Sequence, residues 1–179
     1  MEATPIAAIC RAAGVSNGSF FHAFANKEAL AAALFMDALE SYHGAMTDAV
    51  ADRPGACEGV SGLVRAHLDW VVGERSKARF LFEQSRSEWM GHVRERQAAE
   101  NAAFGERIDA WRLPLVRAGH LADLPSAIFL AQLIGPAQLV CRAWLAGRSR
   151  EDPRGAADAL AACARRALAP SPAAEAAWR

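Results

Sequence analysis

Gly14-Val15-Ser16-Asn17-Gly18-Ser19-Phe20-Phe21-His22-Ala23-Phe24, followed after one alanine by Asn26-Lys27-Glu28-Ala29-Leu30, decides how this 179-residue chain is read. Gly14 accepts the left-handed backbone that ends a helix, so it closes the segment before it. In that segment Ile6, Ile9, Cys10 and Ala13 recur at the spacing of one helical face. Thr4 is read as its N-cap and Pro5 as its first helical residue. Beyond Gly14, Ser16 is placed to cap a second short helix, and Val15 with Phe20 is spaced as a hydrophobic staple. Phe20 and Phe24 share the inward face, which leaves Ser16, Asn17, Ser19, Phe21 and His22 near the outer surface. Asn26 then caps a longer helix beginning at Lys27.

Two short helices joined by a tight turn, the second outward and polar at its start, form the local pattern of a helix-turn-helix reader of DNA. Gly18 lets the backbone approach a phosphate closely, and the helix N-terminus attracts that anion. Asn17 and Ser19 can reach base edges. His22 and Lys27 would contact phosphates and set register.

The segment from Thr4 to Leu30 resembles the DNA-binding end of the TetR/AcrR family of one-component transcriptional regulators. The family pattern is a threonine-led helix, then Ala-Gly-Val-Ser-x-Gly-x-Leu-Tyr-x-x-Phe, then a polar residue and Lys-Glu-x-Leu. Here it stands as Ala13 to Phe24 and Asn26 to Leu30, with Phe21 where the family commonly has tyrosine and its phosphate-reaching hydroxyl. The resemblance implies a DNA contact set of Thr4, Ser16, Asn17, Gly18, Ser19, Phe21, His22 and Lys27. The family also places a helix of roughly four turns before the threonine-led one. The chain starts three residues ahead of Thr4, so the expectation is that the coding region continues upstream with that helix.

Charge runs against strong binding to a polyanion. Residues 1–50 hold Arg11 and Lys27 against Glu2, Glu28, Asp37, Glu40 and Asp48, and the whole chain has a formal net charge of zero. Phosphate contacts by cations supply most of the affinity for DNA, so this stretch promises weak binding. A hydrophobic share of 53% with 22% charged residues describes a globular chain. Cys10, Cys57, Cys141 and Cys163 are widely spaced and read as reduced buried thiols, consistent with a cytoplasmic protein without a signal peptide. The run from Ala127 to Gly147 is long and apolar, yet Gln132, Pro136, Gln138 and Arg142 interrupt it. It reads as a buried interface helix, with no membrane partner.

Helical periodicity dominates the rest, so the fold is expected to be all-α: a helix-turn-helix end and a larger helical ligand-binding and dimerisation domain. Helices are expected over about 27–50, 57–72, 77–84, 87–118 with a bend near Pro114, 125–147 and from Asp152-Pro153 to Leu168. With the two short ones that makes eight. The division is residues 1–45 for the DNA-binding domain, 46–170 for the body and 171–179 for a mobile tail.

Apolar and small residues on more than one side of the 125–147 helix call for burial on two sides. The resemblance implies that the last two helices pair with a second copy, with Ala131, Gly135, Leu139 and Arg142 at the contact. Twofold symmetry would then present two readers to a palindromic double-stranded operator. The resemblance further implies a small-molecule effector held by the middle helices. Trp70, Phe80, Trp89, Met90, Phe104, Trp111 and Phe129 are its candidate lining, though each reads equally as plain core. His67, Gln84, His92 and Gln138 are the polar groups able to orient it. The effector set is thus His67, Trp70, Gln84, Trp89, Trp111 and Gln138.

Enzyme chemistry finds little footing. Glu40-Ser41-Tyr42-His43 holds one Glu-x-x-His step, the unit of di-iron bundles, but Glu88 and His92 do not repeat it. No glycine-rich phosphate loop, nucleophile elbow or paired-cysteine zinc spacing occurs. No enzyme, metal or cofactor is expected. The reading is a cytoplasmic, homodimeric, ligand-responsive regulator, a repressor released by its effector. The alternative is an all-helical small-molecule-binding or dimerisation protein that does not read DNA.

Overall fold

A short helix α1 (Ile6–Ala13) ends at Gly14, whose φ of 67° is left-handed. The backbone N–H of Val15 reaches back to the Cys10 carbonyl at 3.0 Å, closing the helix end. At its start, Pro5 has a ψ of 148° and is itself the N-cap. Its carbonyl accepts from the N–H groups of Ala8 and Ile9. The expected Thr4 cap is therefore corrected: helical dihedrals begin only at Ile6, which leaves Thr4 one residue outside.

The structure, a computed structural model, describes residues 4–84, 88–171 and 173. Most of the expected tail over 171–179 lies outside the described residues, as do the side chains of Gln84 and His92. Among the described residues there are eight α-helices and no strand. After α1 come α2 (Asn17–Ala23), α3 (Lys27–Asp48), α4 (Ala56–Gly73) and α5 (Arg75–Gln84). A 3-10 turn over Glu88–His92 leads into α6 (Arg94–Arg117), followed by α7 (Ser126–Leu145) and α8 (Ala157–Leu168). The single helix expected over 87–118 is broken: Val93, with φ −121° and ψ 1°, separates the 3-10 turn from α6. Pro114 sits in the last turn of α6, where the Ala118 N–H still bonds its carbonyl at 3.0 Å.

The apolar face read for the fourth helix is the centre of the molecule. Val60, Leu63, Val64, His67, Leu68 and Val71 of α4 are all fully buried, packed among α3, α5, α7 and α8. Each such aliphatic side chain contributes about 1.5–3 kcal/mol by leaving water. α3 adds Phe35, Leu39 and Met46 to this core, at positions that fall on one side of a helix. α7 turns Phe129, Leu133, Ala137, Cys141 and Leu145 inward. Although α7 is long and apolar enough to cross a membrane by length and composition, that inward face is packed against α4 and α8.

A buried arginine fixes the joint between α6 and α7. Arg112, 3% exposed, donates to Asp109 at 2.8 Å, the Leu124 carbonyl at 2.9 Å and Ser126 Oγ at 3.2 Å. Ser126 in turn donates to Asp109 at 2.8 Å. Charge and hydrogen bonds are thus satisfied together, the condition under which a buried ion pair is tolerated.

Candidate nucleic-acid interface and effector chamber

The turn between α1 and α2 follows the residues that were read for it. Ser16 Oγ accepts from the Ser19 N–H at 3.0 Å, and Asn26 Oδ1 accepts from the Ala29 N–H at 2.7 Å. Each cap is worth about 1 kcal/mol. Phe20 is buried, and its ring centroid lies 5.8 Å from that of Phe24, so the two wedge α2 from beneath. Val15 remains 47% exposed, so the staple drawn between Val15 and Phe20 leaves one partner largely in water.

Ser16, Asn17, Gly18, Ser19, Phe21 and His22 are exposed together along α2. Phe21 is 55% exposed and meets Phe20 edge to face at 5.2 Å. An added side-chain carbon at Gly18 would meet nothing closer than Ser16 Oγ at 3.6 Å. Packing therefore does not require glycine there. Thr4 is exposed, and its carbonyl accepts from Lys27 Nζ at 3.5 Å, drawing the start of α1 toward the start of α3. The eight expected DNA contact residues thus lie just ahead of α1 (Thr4), at the cap and along α2 (Ser16 to Ser19, Phe21 and His22) and at the start of α3 (Lys27).

The expected effector residues divide. His67 on α4 is fully buried, with Nδ1 2.9 Å from the Tyr42 hydroxyl of α3. Trp70 donates its indole N–H to Ser41 Oγ at 3.0 Å and lies 5.0 Å from the Tyr42 ring. Trp89, in the 3-10 turn, packs against Phe35 at 5.8 Å and Phe80 at 6.1 Å. Trp111 is engaged elsewhere: it donates to the Pro54 carbonyl at 2.9 Å and packs directly on the backbone of Gly59. Gln138 is half-buried on α7. Tyr42, Ser41, Phe35 and Phe82 escaped the sequence reading. Phe35 and Tyr42 could have been found seven residues apart on α3, but their partners on other helices could not.

Glu40 and His43, the lone Glu-x-x-His step, face different neighbours. Glu40 lies 3.7 Å from Arg96, and His43 bonds Glu100 at 2.8 Å. Among the described residues no group of three or more His, Cys, Asp or Glu side chains is placed to hold a metal ion.

On α7, Ile128 is 46% and Leu139 70% exposed, with Ala131, Gly135 and Arg142 also exposed. An apolar stripe on one helix face thus points away from the core, opposite Phe129, Leu133 and Cys141. Arg142 spreads its guanidinium over the Phe82 ring at 5.5 Å.

These features define a helix-turn-helix end joined by one long helix to an all-helical body. The family model for bacterial regulatory proteins of the tetR family matches residues 1–34, which contain the whole turn. No curated protein sequence matches the chain. Among solved structures, the TetR family transcriptional regulator PfmR from Thermus thermophilus superposes with a TM-score of 0.71 at 19% identity, covering 92% of this chain and 89% of that one. A protein described as a tetR family transcription regulator from Shewanella sp. PV-4 gives a TM-score of 0.66 at 24% identity, covering 94% of this chain and 88% of that one. The resemblance carried by Ala13 to Leu30 is thus matched by the tetR family model, and the fold of more than nine-tenths of the chain is shared with these two solved structures.

Proposed function

We propose that this chain is a cytoplasmic transcriptional regulator that binds a palindromic operator as a homodimer, represses nearby genes and leaves DNA when a small molecule binds its body. The observation that carries the reading is the outward face of α2. Ser16, Asn17, Ser19 and His22 are all exposed there, on a helix propped from below by buried Phe20. In this reading residues 1–45 read DNA and 46–170 form the body, with α3 running through both. The exposed stripe Ile128, Ala131, Gly135 and Leu139 meets its own copy. The second copy then places another α2 about one DNA turn, ~34 Å, or more away.

One observation favours a second reading, a helical small-molecule-binding or dimerisation protein that leaves DNA alone. Residues 1–50 carry two cations against five carboxylates, a poor footprint for phosphate binding. Selection from a randomised pool of palindromic duplexes at low salt decides between them. Enrichment of one palindrome, confirmed by a gel shift that salt abolishes, supports the regulator. Recovery of no common sequence establishes the second reading.

A further inference from the structure

Opposite charges stand apart around a recess at the C-terminal end of α3. About 450 Å³ in volume, it lies where α3, the loop after it, α4 and α8 meet. Asp48 ends α3, Asp52 follows in the loop, and Glu58 sits in the first turn of α4. All three carboxylates line the recess and are exposed. None makes an ion pair or a side-chain hydrogen bond among the described residues.

Two arginines line the same recess. Arg65 is neutralised on its own side, since it donates to Asp158 at 2.8 Å. Arg165 of α8, half-buried, donates from Nη1 to Ser61 Oγ at 2.9 Å. Ser61 is only 6% exposed and is itself anchored on the Cys57 carbonyl at 2.8 Å. That bond fixes where the guanidinium stands. The other N–H groups of its fork have no carboxylate partner among the described residues, although three carboxylates share the recess.

The protein's own charges thus do not cancel across the gap: three anions stand against one cation. A molecule that satisfies both walls carries one carboxylate for Arg165 and more than one cationic group for the opposite wall. A guanidinium matches a carboxylate through two parallel hydrogen bonds. The volume lies in the range of small-molecule sites, about 300–1,000 Å³. Tyr42, His67, Trp70 and Trp89 take no part in the lining, so the recess is separate from the aromatic residues assigned to the effector.

We propose that this recess binds a free basic α-amino acid, its carboxylate on Arg165 and its two cationic groups on Asp48, Asp52 and Glu58. The site is independent of DNA reading, because occupancy is measured directly.

Three probes separate the contacts: L-lysine, cadaverine, which is lysine without its carboxylate, and L-norleucine, which is lysine without its side-chain ammonium. NMR titration of 15N-labelled protein at low salt, where exposed charges are least screened, follows the backbone signals of Ser61 and Gly62 and the Nε–H of Arg165. L-lysine should bind about tenfold tighter than either analogue, the effect of losing one hydrogen-bonded charge. Arg165→Gln should bring L-lysine down to the affinity of cadaverine, and Asp52→Asn should weaken L-lysine severalfold. Thermal denaturation checks that both variants are folded. Equal binding of L-lysine and cadaverine would overturn the Arg165 contact, and equal binding of L-lysine and L-norleucine would overturn the basic class. Shifts that spare Ser61, Gly62 and Arg165, or no shift with any probe at millimolar concentration, would overturn the site itself.

Discussion

The imidazole of His43 lies flat on the ring of Phe104, with centroids 4.1 Å apart and planes only 5° from parallel. The contact joins α3 to α6, and Glu100 one turn before Phe104 tightens it by accepting from His43 Nδ1 at 2.8 Å. Arg107 donates to the same oxygen of that carboxylate at 3.0 Å. The stacked pair therefore grips α3 near its C-terminal end, far from the turn at its start.

This pairing and the buried His67 set a pH dependence. Burial lowers the His43 pKa more than Glu100 raises it, and burial alone lowers that of His67 to about 4. Both rings are less readily protonated folded than unfolded, so the unfolded chain binds more protons as the pH falls below 6.5. Glu100 acts in the same direction, since its bond to His43 lowers its pKa. The stability the two histidines contribute is present above pH 6.5 and is lost progressively toward pH 4, while that of Glu100 is lost only below about pH 4.5. Thermal denaturation between pH 7.5 and 4.5 should show the midpoint falling, and His67→Phe should flatten part of that fall. A midpoint that rises on acidification contradicts the sign.

Gly59 is fixed by packing, not by backbone conformation. A methyl group there would enter the space of the Trp111 indole, which is held in place by its bond to the Pro54 carbonyl. Gly59→Ala should destabilise the protein by about 1–3 kcal/mol, the usual cost of overpacking. Urea denaturation checks this; an unchanged midpoint would mean that the indole can move aside.

Gly18 supplies the contrast. Its surroundings can accept a side chain, so Gly18→Leu should leave folding and dimerisation intact while weakening operator binding by about tenfold or more, through loss of close phosphate contact. Gel shift and gel filtration on the same sample measure the two effects. Undiminished binding would remove Gly18 from the contact set.

Leu139 is 70% exposed on the outward stripe of α7. If that stripe joins two copies, Leu139→Asp buries a carboxylate in the contact, and the dimer should dissociate at micromolar concentration. Sedimentation equilibrium reads the mass directly. A monomer before substitution, or a dimer unaffected by it, would assign the stripe another role.

Caps and faces were legible in the sequence because they depend on near neighbours. Ser16, Asn26 and Gly14 act on backbone groups within a few residues of themselves, and the α4 stripe repeats at a fixed interval. The break at Val93 was hidden because Val93 carries no local signal for leaving a helix. The packing of Trp111 was hidden for a different reason. Its indole is committed to Pro54, 57 positions away in the chain, and no periodicity reports such a pairing. The Tyr42–His67 bond likewise spans 25 positions. The exposed polar residues of α2 were readable because Phe20 and Phe24 fix which side turns inward.

α3 is one uninterrupted helix of 22 residues, about 33 Å from end to end at the usual rise per residue. It opens at the Asn26 cap just after α2 and stacks His43 on Phe104 near its other end. A rod of that length is a lever: a swing of about 5° about its anchor near His43 carries the far tip, about 24 Å away, through ~2 Å. Tyr42 and His43, near one end of that rod, and Lys27 at the other thus belong to one stiff element.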